Sequence, residues 1–193
     1  MSYQLTTLEN GLRIASERDA DALTAAFAIA VDVGARYELP AENGLSHLLE
    51  HMAFKGTATK NAREIAEAFD LMGGNINAYT SHEHTVYYAE VLKEYAADAL
   101  NLLCEIVADS TFAEHELERE RQVVLQEIAM HHDTPDDLVF DLYQEMAFAG
   151  QPLGRPILGT PERVSGFSRE DLFAYTKKHY QPNRMVVAGA GAV

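Results

Sequence analysis

The spacing of hydrophobic and polar positions along the chain predicts six strands. Apolar and polar residues alternate, or short apolar runs rich in β-branched and aromatic side chains occur, at positions 3–8, 12–16, 24–33, 75–81, 85–92 and 185–188. Asn10-Gly11 separates the first two runs, and this dipeptide favours a tight β-hairpin. The third run is mostly apolar up to Gly34, so it is predicted to be a buried central strand.

Apolar residues recur every three or four positions between these strands, which predicts helices. The helices are expected at residues 42–54, 62–72, 94–109, from 111 or 113 to about 132, at 137–147 and at 168–179. Gly73 and Gly74 supply a C-terminal stop for the second helix, and Ser168 with Asp171 resembles a capping box at the start of the last. Helices and strands are mixed without strict alternation, so the predicted fold class is α+β.

Composition restricts the function more than it restricts the fold. The chain has 193 residues, of which 47% are hydrophobic, as expected of one globular domain. Its net charge of −15 argues against binding to nucleic acid or to anionic membranes, because there is no basic surface to meet their phosphates. The acidic charge suits a basic peptide as a partner, or serves solubility alone.

Targeting signals and thiol chemistry add little to this picture. No apolar run is long enough to span a bilayer, and the N-terminal residues lack the pattern of a signal peptide. We therefore expect no membrane partner and a cytoplasmic location. The single cysteine, Cys104, lies among apolar residues of a predicted helix and is expected in the core.

Residues 47–51 hold the strongest chemical signal in the sequence. They read His-Leu-Leu-Glu-His, and residues four apart share one helical face, so His47 and His51 can bind one metal ion. Glu50 lies beside that face, where it can act as a base on a water molecule at the metal. The order inverts the His-Glu-x-x-His pattern of many zinc proteases. For so short a motif, a solvated patch of polar residues is the alternative interpretation.

A third ligand has to come from another part of the chain, and Glu127 is the best candidate. It lies seven residues after Glu120, so both carboxylates share one helical stripe, next to apolar residues that place the stripe near the core. A carboxylate near a core favours a cation as its partner. Spacing alone leaves open that both are exposed acids on a long acidic helix. His131 lies four residues after Glu127 on the same helical face and could approach the site, but like His179 it is expected at the surface.

Seven motifs, in order along the chain, resemble the pitrilysin-type family of metallopeptidases, and within it the branch of the mitochondrial processing peptidases. They are LENGLRI (8–14), VDVGARYE (31–38), GLSHLLEHMAFKGT (44–57), MGGNINAYTSHEHTVYY (72–88), ERERQVVLQEI (118–128), PLGRPILGT (152–160) and YQPNRMVVAGAG (180–191). The match covers nearly the whole chain. It implies a processing-peptidase/LuxS-like metallohydrolase domain, in which a mixed or antiparallel sheet packs against helices.

The resemblance implies a zinc-dependent endopeptidase. Zn²⁺ would be held by His47, His51 and Glu127, with Glu50 as the general base that assists attack of water on a peptide bond. Glu120 matches a family acid near the site, which would orient a ligand histidine or the water at the zinc.

The resemblance also implies a peptide-binding strand. Asn77, Ala78 and Thr80 match a strand that lines the family's cleft, where an extended peptide substrate adds as a further strand. The alternative for Asn77 and Thr80 is a purely structural role in the strand and its turn.

Relatives in this branch usually contain a second, related domain, in the same chain or supplied by a partner subunit. Residues 1–193 correspond to the N-terminal zinc-binding domain, so we expect part of a longer protein, or a short protein that needs a partner. Edges exposed by a missing half could drive self-association into a homo-oligomer. Two other functions stay open: a catalytically incomplete metal-binding subunit, and a small-molecule lyase, which the cleft motif does not favour.

Overall fold

Six strands form one mixed sheet in the computed structural model, which describes residues 3–193. In chain order they are β1 (Tyr3–Thr7), β2 (Arg13–Arg18), β3 (Thr24–Val31), β4 (Asn75–Thr80), β5 (Thr85–Leu92) and β6 (Met185–Gly191). Across the sheet the order is β1-β2-β6-β3-β5-β4. β2 and β6 run parallel, and the other neighbouring strands are antiparallel. The predicted α+β class and mixed sheet are confirmed.

The helices cover one face of this sheet. Within residues 3–193 they are α1 (Leu45–Ala53), α2 (Ala62–Leu71), α3 (Ala96–Ala108), α4 (Glu114–Asp133), α5 (Pro135–Ala147), α6 (Pro161–Gly166) and α7 (Arg169–His179). Apolar side chains of α1, α3, α4 and α7 join those of β3 and β5 in the core. Seven of the nine residues of α1 are buried, so this helix lies deep in the packing. No helix of the described chain has both the length and the apolar character needed to cross a membrane.

Strand β3 is central in the sheet but is covered on one face only. Its buried side chains are Ala25, Phe27, Ile29 and Val31, and the residues between them are exposed or partly exposed. Successive side chains of a strand point to opposite faces. The prediction of a fully buried strand is therefore wrong for one face, where small alanines gave the run its apolar character.

Strand β6 and helix α6 also differ from the sequence-based expectation. β6 continues to Gly191, past the predicted end at residue 188, because it pairs with β2 on one side and β3 on the other. Helix α6 was not predicted, although its start signal is present: Thr160 caps it by accepting from the N–H of Arg163, and Pro161 occupies the first turn.

Two side chains lie in the opposite environment from the one predicted. Cys104 is exposed on α3, because the buried stripe of that helix consists of neighbouring residues such as Leu103 and Ile106. His179, expected at the surface, is 5% exposed at the end of α7. Its ring packs against Tyr175, and Arg184 donates to its Nδ1.

Candidate metal centre and active site

Helix α1 presents His47 and His51 on one face, one turn apart. Their ring centroids are 4.7 Å apart and the rings meet edge to face. The helix begins after Gly44, whose φ of 97° is a conformation that favours glycine. The buried carboxylate of Glu38 accepts hydrogen bonds from the N–H groups of Gly44 (2.9 Å) and Ser46 (2.7 Å). These bonds satisfy groups that a helix end leaves free, and so hold the start of α1 in place.

Helix α4 brings Glu127 to the two histidines. Its Oε2 lies 3.7 Å from His47 Nε2 and 3.5 Å from His51 Nε2. Two tetrahedral zinc ligands with bonds of about 2.0–2.2 Å stand about 3.3–3.6 Å apart. One possible ligand atom from each of the three residues lies within 4.8 Å of the others. The donor atoms and their spacing therefore fit a zinc ion.

Glu120, two turns before Glu127 on α4, contacts His51 at its other ring nitrogen. Glu120 Oε2 lies 3.1 Å from His51 Nδ1, and Glu120 Oε1 lies 2.8 Å from Lys55 Nζ. The Glu120 side chain is 9% exposed. When Nδ1–H donates to Glu120, the lone pair of the ring lies at Nε2, on the side that faces Glu127.

Glu50 reaches the same space from α1. It is partly buried, and its Oε2 is enclosed without a hydrogen-bond partner from residues 3–193. Burial raises the pKa of Glu50 above its usual range. A carboxylate with a free oxygen and a raised pKa is better suited to accept a proton than an exposed glutamate.

His47, His51 and Glu127 together are called the metal cluster below. Two clefts open on either side of it, and Glu50 lines both. The first, of about 200 Å³, is lined by Glu50, His51, Phe54, Lys55, Asn77 and Glu120. The second, of about 320 Å³, is lined by His47, Glu50, Tyr79, Thr80, Glu127, His131, Asp141, Ile157 and Leu158. A larger depression of about 530 Å³ lies on the open face of the sheet, and its lining includes no residue of the metal cluster. The chemistry therefore belongs to the two smaller clefts.

The predicted substrate residues lie on β4, an edge strand of the described sheet. Asn77 is exposed and Thr80 partly exposed, and both line the clefts. Ala78 is buried, so only its backbone can reach a ligand. Its N–H donates to Asn77 Oδ1 (2.9 Å), which indicates that this group points to the outer edge of the strand. The edge can accept a further strand once Asn77 releases the N–H.

Burial and neighbouring charges set the protonation of the three ligand candidates. Burial, with the charge of His51 alongside, lowers the pKa of His47 to about 4, so His47 is neutral at neutral pH. Burial also acts to lower the pKa of His51, but hydrogen bonds to Glu127 and Glu120 outweigh it and raise this pKa. The hydrogen bond from His51 lowers the pKa of Glu127. His51 is therefore the ligand candidate that a proton occupies most readily.

Comparison with known proteins identifies the family. Residues 13–161 match the family described as Insulinase (Peptidase family M16). The chain belongs to the insulinase family of peptidases. It is 46% identical over 187 residues to "uncharacterized zinc protease YmxG" of Bacillus subtilis, a match that covers 97% of this chain and 46% of that protein. It is 42% identical over 190 residues to the mitochondrial-processing peptidase subunit beta of Rattus norvegicus, with coverage of 98% and 39%.

The fold is shared with solved protease structures. A protease from Helicobacter pylori superposes with a TM-score of 0.94 at 26% sequence identity, over all of this chain and 47% of that one. The chain spans about half the length of the curated relatives it matches. The resemblance seen in the sequence motifs is thus confirmed at the level of family and fold.

Three further residues line this insulinase-type cleft. His131, expected at the surface, lines the second cleft one turn after Glu127, and its Nδ1 lies 3.6 Å from Asp141 Oδ2. The four-residue spacing from Glu127 was the available signal for His131. Lys55 likewise follows His51 by four residues, whereas its contact with Glu120, and the place of Asp141 on α5, depend on tertiary packing.

Zinc affinity is expected to fall as the pH drops through the raised pKa of His51. Below that pKa a proton competes with the metal for Nε2, which costs about tenfold in affinity per pH unit. His47, with a pKa of about 4, adds no competition in this range. Competition with a chromophoric chelator over mildly acidic to mildly alkaline pH measures the slope. A two-proton slope, or none, would contradict these assignments.

Proposed function

We propose that this chain carries the active site of a zinc-dependent endopeptidase. The observation that carries the proposal is the meeting of His47, His51 and Glu127 at distances suited to one zinc ion, beside the free carboxylate oxygen of Glu50. Three protein ligands and one open position are typical of catalytic rather than structural zinc. Relatives named as zinc proteases support the choice of metal.

Glu50 is the general base, and then the general acid, of the proposed reaction. Bound zinc would polarise the scissile carbonyl and make a water molecule more acidic. Glu50 takes a proton from the water molecule as the water oxygen attacks the carbonyl carbon. It then gives the proton to the leaving nitrogen as the C–N bond breaks. Glu120 holds His51 through Nδ1, and burial keeps the His47 imidazole neutral.

An extended peptide segment is the proposed substrate. A peptide that adds to the open edge of β4 would cross both clefts, so that one of its bonds lies over the metal cluster. Asn77 and Thr80 would contact it through their side chains, and Ala78 through its N–H. Asp141 in the second cleft and the net charge of −15 favour basic peptides.

A companion domain or partner subunit is proposed to complete the substrate chamber. The chain covers 46% of its Bacillus relative, and 39% of a rat relative that is named as a subunit of a processing peptidase. The ligand side of the cleft is open, since the side chain of Glu127 is 45% exposed. The same openness favours a second candidate function, a metal-binding subunit that cleaves peptides only together with its partner.

Peptide cleavage is expected to depend on zinc. An unstructured peptide rich in basic residues should be cut at internal bonds, a chelator should stop the reaction, and added zinc should restore it, as mass spectrometry of the products would show. The assay is run on the chain alone and on the chain mixed with the companion half of a full-length relative. Cleavage in the mixture alone would support the second candidate. A chain that binds zinc but cleaves in neither assay would overturn the endopeptidase function.

A further inference from the structure

Lys55 follows α1 and turns back towards the metal cluster. Its backbone N–H donates to the Met52 carbonyl (3.1 Å), and its Nζ lies 2.8 Å from Glu120 Oε1. The Lys55 side chain is 30% exposed, whereas that of Glu120 is 9% exposed. A nearly buried carboxylate is costly without a partner of opposite charge. Lys55 supplies that charge at the wall of the first cleft.

The two oxygens of Glu120 have different partners. Oε1 contacts Lys55 and Oε2 contacts His51 Nδ1 at 3.1 Å. Because a carboxylate is planar, the contact at Oε1 restricts its rotation and so fixes the direction in which Oε2 meets the imidazole. The bond at Nδ1 in turn fixes the ring and the direction of Nε2, which is the atom that faces Glu127.

We propose that Lys55 is a positioning residue of the zinc site, acting through Glu120 to hold the His51 ring in the orientation that binds the metal. The proposal rests on the zinc centre proposed above. It adds a third member to the chain of contacts that starts at the metal: His51, then Glu120, then Lys55.

Lys55 has two effects on zinc affinity, and they have opposite signs. The positive charge of Lys55 repels a zinc ion, so its removal would tighten binding if repulsion dominated. Loss of positioning weakens binding, and outer partners of ligand histidines typically contribute about 10–100-fold in affinity. The negative charge of Glu120, 2.8 Å from Lys55, cancels much of the repulsion between Lys55 and the more distant zinc ion. The positioning effect therefore dominates.

Lys55→Met keeps most of the side-chain length and removes the charge. It is expected to weaken zinc binding about tenfold or more, measured by chelator competition on protein stripped of metal. Lys55→Arg is expected to restore most of the affinity. Lys60→Met is the matched control, because Lys60 forms a similar pair with Glu105 (3.3 Å) and lines neither cleft. Thermal melting of the metal-free variants reports whether each one folds.

The Glu120→Gln background tests whether Lys55 acts through Glu120. With Glu120 already replaced, Lys55→Met is expected to cause no further loss of zinc affinity, because the positioning contact is already gone and removal of a charge that Glu120 no longer offsets acts to tighten binding. The visible spectrum of the cobalt-substituted protein should change in Lys55→Met and not in Lys60→Met. An unchanged or tighter zinc affinity in Lys55→Met, or an equal loss in both backgrounds, would overturn the proposal.

Zinc affinity is measured without substrate, so this test and the test of the endopeptidase function have separate outcomes. A wild-type chain that binds zinc and cleaves no peptide would refute the endopeptidase function, while the comparison of Lys55 variants would still decide the role of Lys55. A wild-type chain with no zinc affinity would refute both.

Discussion

Glu50→Gln is expected to bind zinc normally and to lose peptide cleavage. Glu50 is not one of the three residues whose ligand atoms meet at the metal position, so the amide leaves His47, His51 and Glu127 in place. An amide cannot accept the proton of the attacking water. Loss of a general base costs about 10²–10⁴-fold in rate, and we expect kcat rather than KM to carry the loss. Zinc content and steady-state cleavage of a basic peptide measure the two properties.

The matched control for Glu50→Gln is Glu67→Gln. Glu67 is an exposed acid on α2 that pairs with Arg63, and such surface pairs contribute little. We expect it to retain both zinc and activity. Near-normal turnover in Glu50→Gln would remove Glu50 from the proposed mechanism.

Glu127→Gln is expected to lose zinc. A neutral amide oxygen is a weaker zinc ligand than a carboxylate, so the loss of affinity should exceed the roughly 10–100-fold that loss of a supporting partner costs. The side chain of Glu127 is 45% exposed, so the substitution should leave the fold intact. Metal content after dialysis and chelator competition measure the effect, and cleavage should fall with it.

Glu118→Gln provides the control on the same helix. Glu118 is 63% exposed, and its partner Arg121, which is 14% exposed, also donates to the Phe167 carbonyl, so the loss of Glu118 should leave zinc affinity unchanged. If Glu127→Gln kept the affinity of the wild type, Glu127 would be an exposed acid of the kind that its spacing alone left open.

The arrangement of the polar side chains on α1 could be predicted from local sequence because it depends on helical spacing alone. His47, Glu50 and His51 lie within five residues, and one helical turn brings them together whatever the rest of the fold does. The hairpin at Asn10-Gly11 is a similar case, since a dipeptide specifies the turn between β1 and β2.

The remaining features depend on tertiary packing, which the local pattern does not contain. Glu127 meets the histidines because α4 packs against α1, and without the family motifs its spacing indicated no more than a stripe of acids. The contact of Lys55 with Glu120 joins two segments in the same way. The open face of β3 results from the absence of helices on that side of the described sheet, and the length of β6 results from its pairing with neighbouring strands. Strand propensity contains neither kind of information.

The most direct test of the zinc centre is a crystal structure of the zinc-loaded chain, with the metal located by its anomalous scattering. We expect one zinc ion bonded to Nε2 of His47, to Nε2 of His51 and to a carboxylate oxygen of Glu127, each at about 2.0–2.2 Å, with the open position facing Glu50. A zinc ion bound elsewhere, or bonded to Glu120 in place of Glu127, would contradict the account.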